Sequence, residues 1–225
     1  MNTKHLVSTA LASALALACV PAMAALELNL QSGAASVTIT DGGVGDANPL
    51  AGAITFIGSV GSYSANVTTG FGSDLLTLPE ITDLSSVDTT TTGGDLLIGL
   101  TQTGLNFGSG AHQLNGLIGG TLGSGMSIAY SLYADAADTA FGKGSLLFSG
   151  SAGPGSAAFS DSGGASFADP SGTFSLSQFV TISGRGAGTT SFDFATNVPE
   201  PGTAVLAGVA LLALGGIARR RRNVK

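Results

Sequence analysis

Phe174-Ser175-Leu176-Ser177-Gln178-Phe179-Val180-Thr181-Ile182 places Phe174, Leu176, Val180 and Ile182 on alternate positions of the chain. That spacing turns side chains to one face of an extended strand. The same period recurs outward from it: Phe192 and Phe194 downstream, then Ile128, Tyr130 and Leu132, Val37 and Ile39, and Leu26, Leu28 and Leu30 upstream. Asp41-Gly42-Gly43, Gly93-Gly94, Gly119-Gly120, Gly153-Pro154-Gly155 and Gly163-Gly164 are the expected turns between strands, since Gly, Pro and Asp supply turn geometry. The Gly/Ser-rich stretch Ser149–Gly164 is expected to be a long flexible loop. No helical period is sustained inside the body. About eight to ten short strands predict a single all-β domain, a β-sandwich or jelly roll. A β-solenoid would need a fixed repeat, and the chain has none.

The 225 residues include 35 glycines and one cysteine, with 44% hydrophobic and only 10% charged residues. Soluble domains carry about 25% charge, so Gly, Ser and Thr must cover much of this surface. Glycine follows no three-residue period, which excludes collagen, and one cysteine excludes a disulfide scaffold. The charges are segregated. Residues 25–197 hold two cations, Lys143 and Arg185, against thirteen acids, so the body stands at −11 although the whole chain is −6. A body of that sign repels nucleic acid and anionic lipid. With so few lysines, the sheet edges must be guarded by scattered acids and Gly-rich breaks.

Residues 1–24 have the layout of a secretory signal peptide. Lys4 and His5 precede the apolar run Leu6–Val20, and Pro21 leads into Ala22-Met23-Ala24. The run is shorter than the roughly 20 residues of a spanning helix, and small residues at Ala22 and Ala24 suit a signal peptidase. Cleavage is expected after Ala24. A lipidated Cys19 is the alternative, although Leu17 stands where that signal wants a small residue. Cleavage after Ala24 leaves a mature protein without cysteine.

Residues 198–225 are built differently again. Val198-Pro199-Glu200-Pro201-Gly202 opens the segment, Thr203–Ala218 is uncharged and largely apolar, and Arg219, Arg220, Arg221 and Arg222 follow. The prolines hold the start extended. The apolar stretch favours a helix of about 24 Å, barely enough for a bilayer core of about 30 Å. Four arginines keep its end cytoplasmic. A plain C-terminal membrane anchor is the alternative, against which stand the short span and the rigid acidic tripeptide Pro199-Glu200-Pro201 just before it.

Val198-Pro199-Glu200-Pro201, a short apolar helix and a terminal Arg cluster together resemble the PEP-CTERM sorting signal of Gram-negative bacteria. The resemblance implies export by the secretion machinery and transient membrane insertion through the tail. It also implies recognition by exosortase, an integral-membrane transpeptidase that processes near the motif. Thr38-Ile39-Thr40-Asp41-Gly42-Gly43-Val44-Gly45-Asp46-Ala47-Asn48-Pro49 and Thr189-Thr190-Ser191-Phe192-Asp193 are similar to stretches of secreted PEP-CTERM proteins, as is Phe174–Ile182. Proteins of this kind accompany exopolysaccharide production, which implies a role in a biofilm or polysaccharide matrix.

Catalytic constellations are not legible in the body. Its single histidine, His112, lies in a polar Gly/Ser stretch expected to be loop, and no Gly-x-Ser-x-Gly elbow accompanies it. Asp135 and Asp138 form a close carboxylate pair, but glycosidase acids come from separate elements across a cleft, so a solvated turn is expected. No phosphate-cradling glycine motif occurs. Asn66-Val67-Thr68 matches a glycosylation sequon and reads equally as strand. Asp41, Asp46 and Asn48 in a Gly-rich loop are the candidate calcium ligands; Asp and Asn are also ordinary turn formers. The expectation is therefore a surface or matrix protein that is not an enzyme. The alternative is a carbohydrate-binding or adhesion module, whose aromatic platform would draw on Tyr63, Tyr130, Tyr133 and eleven phenylalanines.

Overall fold

A computed structural model describes residues 25–69, 80–108, 110–154, 157–169 and 172–198. The signal-peptide residues Ala22 and Ala24, with Cys19, lie outside the described residues. So do Pro199, Glu200, Pro201 and Arg219–Arg222. Every regular element described is a strand: β1 (Leu26–Ser32), β2 (Ala35–Thr40), β3 (Thr55–Val60), β4 (Tyr63–Thr68), β5 (Glu80–Thr91), β6 (Gly94–Leu105), β7 (Gly110–Leu122), β8 (Met126–Asp135), β9 (Ser145–Ala152), β10 (Ala158–Asp169), β11 (Phe174–Gly184) and β12 (Gly188–Asn197). Twelve strands exceed the eight to ten expected.

They form two six-stranded sheets, β2-β1-β6-β11-β8-β9 (sheet I) and β10-β7-β12-β5-β4-β3 (sheet II). Strands β5 to β12 give the order β6-β11-β8-β9 facing β5-β12-β7-β10, which is the order of a jelly roll. The N-terminal hairpins β1–β2 and β3–β4 extend the two sheets on the same side. Both hairpins turn in two residues. Gly33 and Gly61 take φ of 59° and 57° there, and a Cβ on Gly61 would sit 2.7 Å from the Ser32 carbonyl oxygen, so only glycine fits.

The alternation read from sequence fixes which faces meet. Leu28, Leu30, Leu96, Ile98, Leu100, Ile128, Leu132, Leu176, Val180 and Ile182 from sheet I pack against Val67, Leu84, Val87, Leu114, Ile118, Phe192 and Phe194 from sheet II, all in one buried cluster. Each such side chain contributes about 1.5–3 kcal/mol on full burial. Gln178 is fully buried among them. Its Nε2 crosses the interior to donate to the Phe194 carbonyl at 2.9 Å and to Thr196 Oγ1 at 2.9 Å, a polar tie between the sheets.

Three expectations are corrected. Ser149–Gly164 is not one long loop: β9 runs to Ala152 and β10 starts at Ala158, around a turn at Gly153-Pro154. Gly163-Gly164 and Gly119-Gly120 are not turns but lie inside β10 and β7. His112 is not in a loop but in β7, paired with Phe167. The physical reason is that most of these glycines admit a neighbour rather than bend the chain. A Cβ on Gly116 or Gly163 would stand 2.5 or 2.8 Å from the Phe148 ring, and one on Gly120 or Gly164 would run into a backbone carbonyl of the adjacent strand.

Part of the outer face of sheet I, over β6 and β11, is covered. The β8–β9 connection folds across it: Phe141 N–H donates to Thr101 Oγ1 at 3.1 Å, Ser175 Oγ to the Thr139 carbonyl at 2.7 Å, and Gly104 N–H to Asp138 Oδ1 at 2.7 Å. Asp138 and Phe141 take positive φ of 54° and 56°, a strained conformation for side-chain-bearing residues that these bonds hold in place. Lys143 Nζ lies 4.3 Å from the Phe179 ring centroid, a cation–π contact.

Candidate functional site: the open face of sheet II

Among the described residues nothing folds over the centre of the outer face of sheet II. Two adjoining grooves mark it. One, of about 590 Å³, is bordered by Ile57, Asn66, Asp88, Thr90, Thr189 and Ser191. The other, of about 620 Å³, is bordered by Leu117, Gly119, Ser160, Ser162, Asp161 and Asp193. Together they cross all six strands, about 24 Å at the usual interstrand spacing. Hydroxyls, the Asn66 amide and the carboxylates of Asp88 and Asp193 are interspersed there with apolar surface from Ile57, Leu117 and Ala195; Ile57 and Leu117 are 71% and 41% exposed.

Strand pairing explains why Asp193 projects there. Phe192 and Phe194 are buried on either side of it, so the alternation of β12 sends Asp193 outward. The register with β5 shifts between Phe192 and Phe194, placing a bulge opposite Asp193; bulges re-aim neighbouring side chains. On its other side Asp193 pairs with Gly119 of β7, which presents no side chain. Partial burial raises the Asp193 carboxyl above the ordinary aspartate range, and the charge of Asp88 adds to the effect.

The residues singled out from sequence lie elsewhere. Asp41, Asp46 and Asn48 share the β2–β3 loop, where their oxygens meet backbone donors. Asp46 Oδ1 accepts from Asn48 N–H at 2.8 Å and Thr55 N–H at 2.9 Å, and its Oδ2 from Gly42 N–H at 3.0 Å. Asp41 Oδ2 accepts from Gly52 N–H at 2.7 Å, and Asn48 Oδ1 from Leu50 N–H at 3.0 Å. Asp41 Oδ1 is buried without a hydrogen-bond partner. Burial pushes the Asp46 carboxyl up, but the bonds from Thr55, Asn48 and Gly42 outweigh it, so the group sits below its usual range.

Asp135 is the last residue of β8 and Asp138 lies in the connection that follows, where its N–H donates to the Asp135 carbonyl at 3.1 Å. Thr139 Oγ and Ala137 N–H both donate to Asp135, in that order of influence, and lower its carboxyl. A ring nitrogen of His112 meets the Gly108 carbonyl at 3.1 Å, and its ring stands edge-on to Phe107 at 5.7 Å. The tyrosines form no platform: Tyr63 and Tyr130 are buried, with Tyr63 Oη donating to the Gly94 carbonyl at 2.8 Å and Tyr130 Oη to Asp161 at 2.7 Å. Tyr133 stacks edge-on with Phe179 on the covered face of sheet I. The pair of Gly119 and Asp193 was missed because the cross-strand register of β7 and β12 is not written in either segment alone.

Among the described residues, fold and open face define a two-sheet all-β sandwich with a shallow, mixed polar and apolar groove. Comparison with known proteins adds one sequence feature: the model of the PEP-CTERM protein-sorting motif matches residues 197–222. The chain thus carries a PEP-CTERM sorting motif, beginning on the last residue of β12. No curated protein sequence matches the chain significantly. Solved structures with a similar outline include a CBM61 module in complex with β-1,4-galactotriose, at 14% identity and TM-score 0.27 over 51% of this chain and 70% of that one. A xylan-binding domain from CBM 22 matches at 14% identity and TM-score 0.33, over 69% and 96% of the two chains. A PA14 sugar-binding domain from an RTX adhesin matches at 14% and 0.30, over 79% and 96%. At such scores no residue of this chain inherits a role from them.

Proposed function

We propose that the protein is an exported, non-enzymatic β-sandwich, sorted through its C-terminal signal and working at the cell surface or in the extracellular polysaccharide matrix. The observation that carries this reading is the PEP-CTERM motif at residues 197–222, directly continuous with the folded body. In this reading residues 1–24 are removed on export. The apolar tail is held in the inner membrane by Arg219–Arg222, and exosortase processes the chain at or near Val198-Pro199-Glu200-Pro201. The body then acts as a structural or adhesive component alongside exopolysaccharide. Mass spectrometry of the mature termini, from cells with and without the sorting enzyme, tests it. The expected result is a chain starting at Ala25 and lacking Arg219–Arg222 only where the enzyme is present. An intact arginine tail in the surface fraction of normal cells overturns the processing step.

A second reading, a carbohydrate-binding or adhesion module, is favoured by the open groove of sheet II with its hydroxyls and carboxylates. The three tyrosines do not border that groove.

A further inference from the structure

Among the strand-interior glycines described, Gly119 is the one that packing does not account for. In the strand interiors described, a Cβ on Gly58, Gly99, Gly116, Gly120, Gly150, Gly163 or Gly164 would approach a neighbouring atom to 3.2 Å or less. A Cβ on Gly119 would meet nothing nearer than the Phe159 carbonyl oxygen at 3.6 Å and Ser160 Cβ at 3.8 Å, which is ordinary contact. No positive φ demands glycine there either. Glycine weakens a strand, so its presence in a central strand, on the solvent face, keeps space above the sheet. A strand glycine that neither fold nor packing requires is one mark of a site where a ligand approaches closely.

The surroundings state what the ligand is. Gly119 pairs with Asp193, and Ser191, one turn of the alternation away, pairs with Asp88. Around them the lining mixes hydroxyls, such as Ser64, Thr90 and Ser160, with apolar surface from Ile57, Leu117 and Ala195, and among the described residues no Lys or Arg borders either groove. Hydroxyls donate and accept, while carboxylates accept only. A ligand matched to this floor is rich in hydroxyl donors, lies flat across strands and bears no negative charge, which two unpaired carboxylates in a body of −11 would repel. The raised Asp193 carboxyl, crowded by burial and by Asp88, marks a place where donated hydrogens or a cationic amine would relieve charge.

We propose that the outer face of sheet II binds a polysaccharide segment built from neutral or amine-bearing sugars, with Gly119 giving room for a sugar ring and Asp193 and Asp88 accepting hydrogens from its hydroxyl or ammonium groups. The site deepens the second reading above and rests on the body being displayed outside the cell. It is independent of which bond the sorting enzyme cuts.

The test uses the full-length protein against immobilised neutral, amino-sugar and uronate oligosaccharides, with a cationic peptide as a further probe. Titration of the wild type, Gly119→Ala, Gly119→Val and Asp193→Asn follows, alongside their melting temperatures. The expected result is binding to a neutral or amino sugar and none to uronates. Gly119→Val should weaken it at least tenfold, Gly119→Ala and Asp193→Asn less, with melting temperatures held or raised. Four outcomes overturn the proposal: no sugar bound, preference for uronates or the peptide, equal affinity of wild type and Gly119→Val, or a fall in melting temperature with Gly119→Ala, which would make the glycine a packing requirement. Sorting of these variants, read from the mature C-terminus, should be unchanged, so failure here and failure of the processing reading are separable.

Discussion

Gln178 on β11 reaches through the sandwich to the Phe194 carbonyl on β12, Nε2 to O 2.9 Å. The bond joins the two sheets across an interior lined mainly by apolar side chains. Removing the amide strands the buried Thr196 hydroxyl with the Phe194 carbonyl, and an unsatisfied buried group costs about 1–3 kcal/mol. Gln178→Leu, close in volume, should destabilise by about that amount in urea or guanidinium unfolding. An unchanged midpoint would show that the tie contributes nothing net.

Gly116 and Gly119 lie three residues apart in β7 and should respond oppositely to the same substitution. A Cβ on Gly116 would press the Phe148 ring at 2.5 Å, and overpacking of this kind costs about 1–3 kcal/mol. Gly119→Ala should be neutral or stabilising, because alanine loses less conformational freedom on folding. Thermal melts of the two variants side by side measure the contrast.

Acid should loosen the β2–β3 loop and the β8–β9 connection first. Asp46 and Asp135 both have carboxyls lowered in the folded state. Such groups stabilise fully above the ordinary aspartate pKa of about 3.9 and lose that contribution as pH falls through the lower folded value. Asp193 has the opposite sign: its raised carboxyl opposes folding at neutral pH and ceases to do so as it protonates. Asp193→Asn should therefore hold or raise the melting temperature at pH 7, while Asp46→Asn lowers it, and the Asp46→Asn deficit should shrink below pH 4.

Calcium at millimolar concentration is expected to give neither heat nor a melting shift. The Asp46 oxygens already accept three backbone N–H bonds, which a cation would have to displace. Calorimetry decides between turn and ion site; a saturable heat abolished by Asp46→Asn would establish the latter.

Strand faces were legible because period two survives in short segments: Leu26, Leu28 and Leu30 are buried as read, and so are Phe192 and Phe194. Glycine pairs misled because the same residue serves turns and close packing. Gly163-Gly164 sits in mid-strand since Phe148 and the Leu114 backbone occupy the space a side chain would take. The edges also differ from expectation. β2 and β3, at one side of the sandwich, contain no charge and no proline, so the scattered acids do not guard them. Register, which brings Asp193 to Gly119, depends on strands 74 residues apart in number and cannot be read from either.

β12 runs between β5 and β7, and its last residue, Asn197, is where the sorting motif begins. A pull on the chain beyond it therefore enters the body along a central strand. Such a load shears two rows of backbone bonds at once, whereas an edge strand such as β3 would peel away bond by bond. A body attached at this end would be held by a strand with a neighbour on each side.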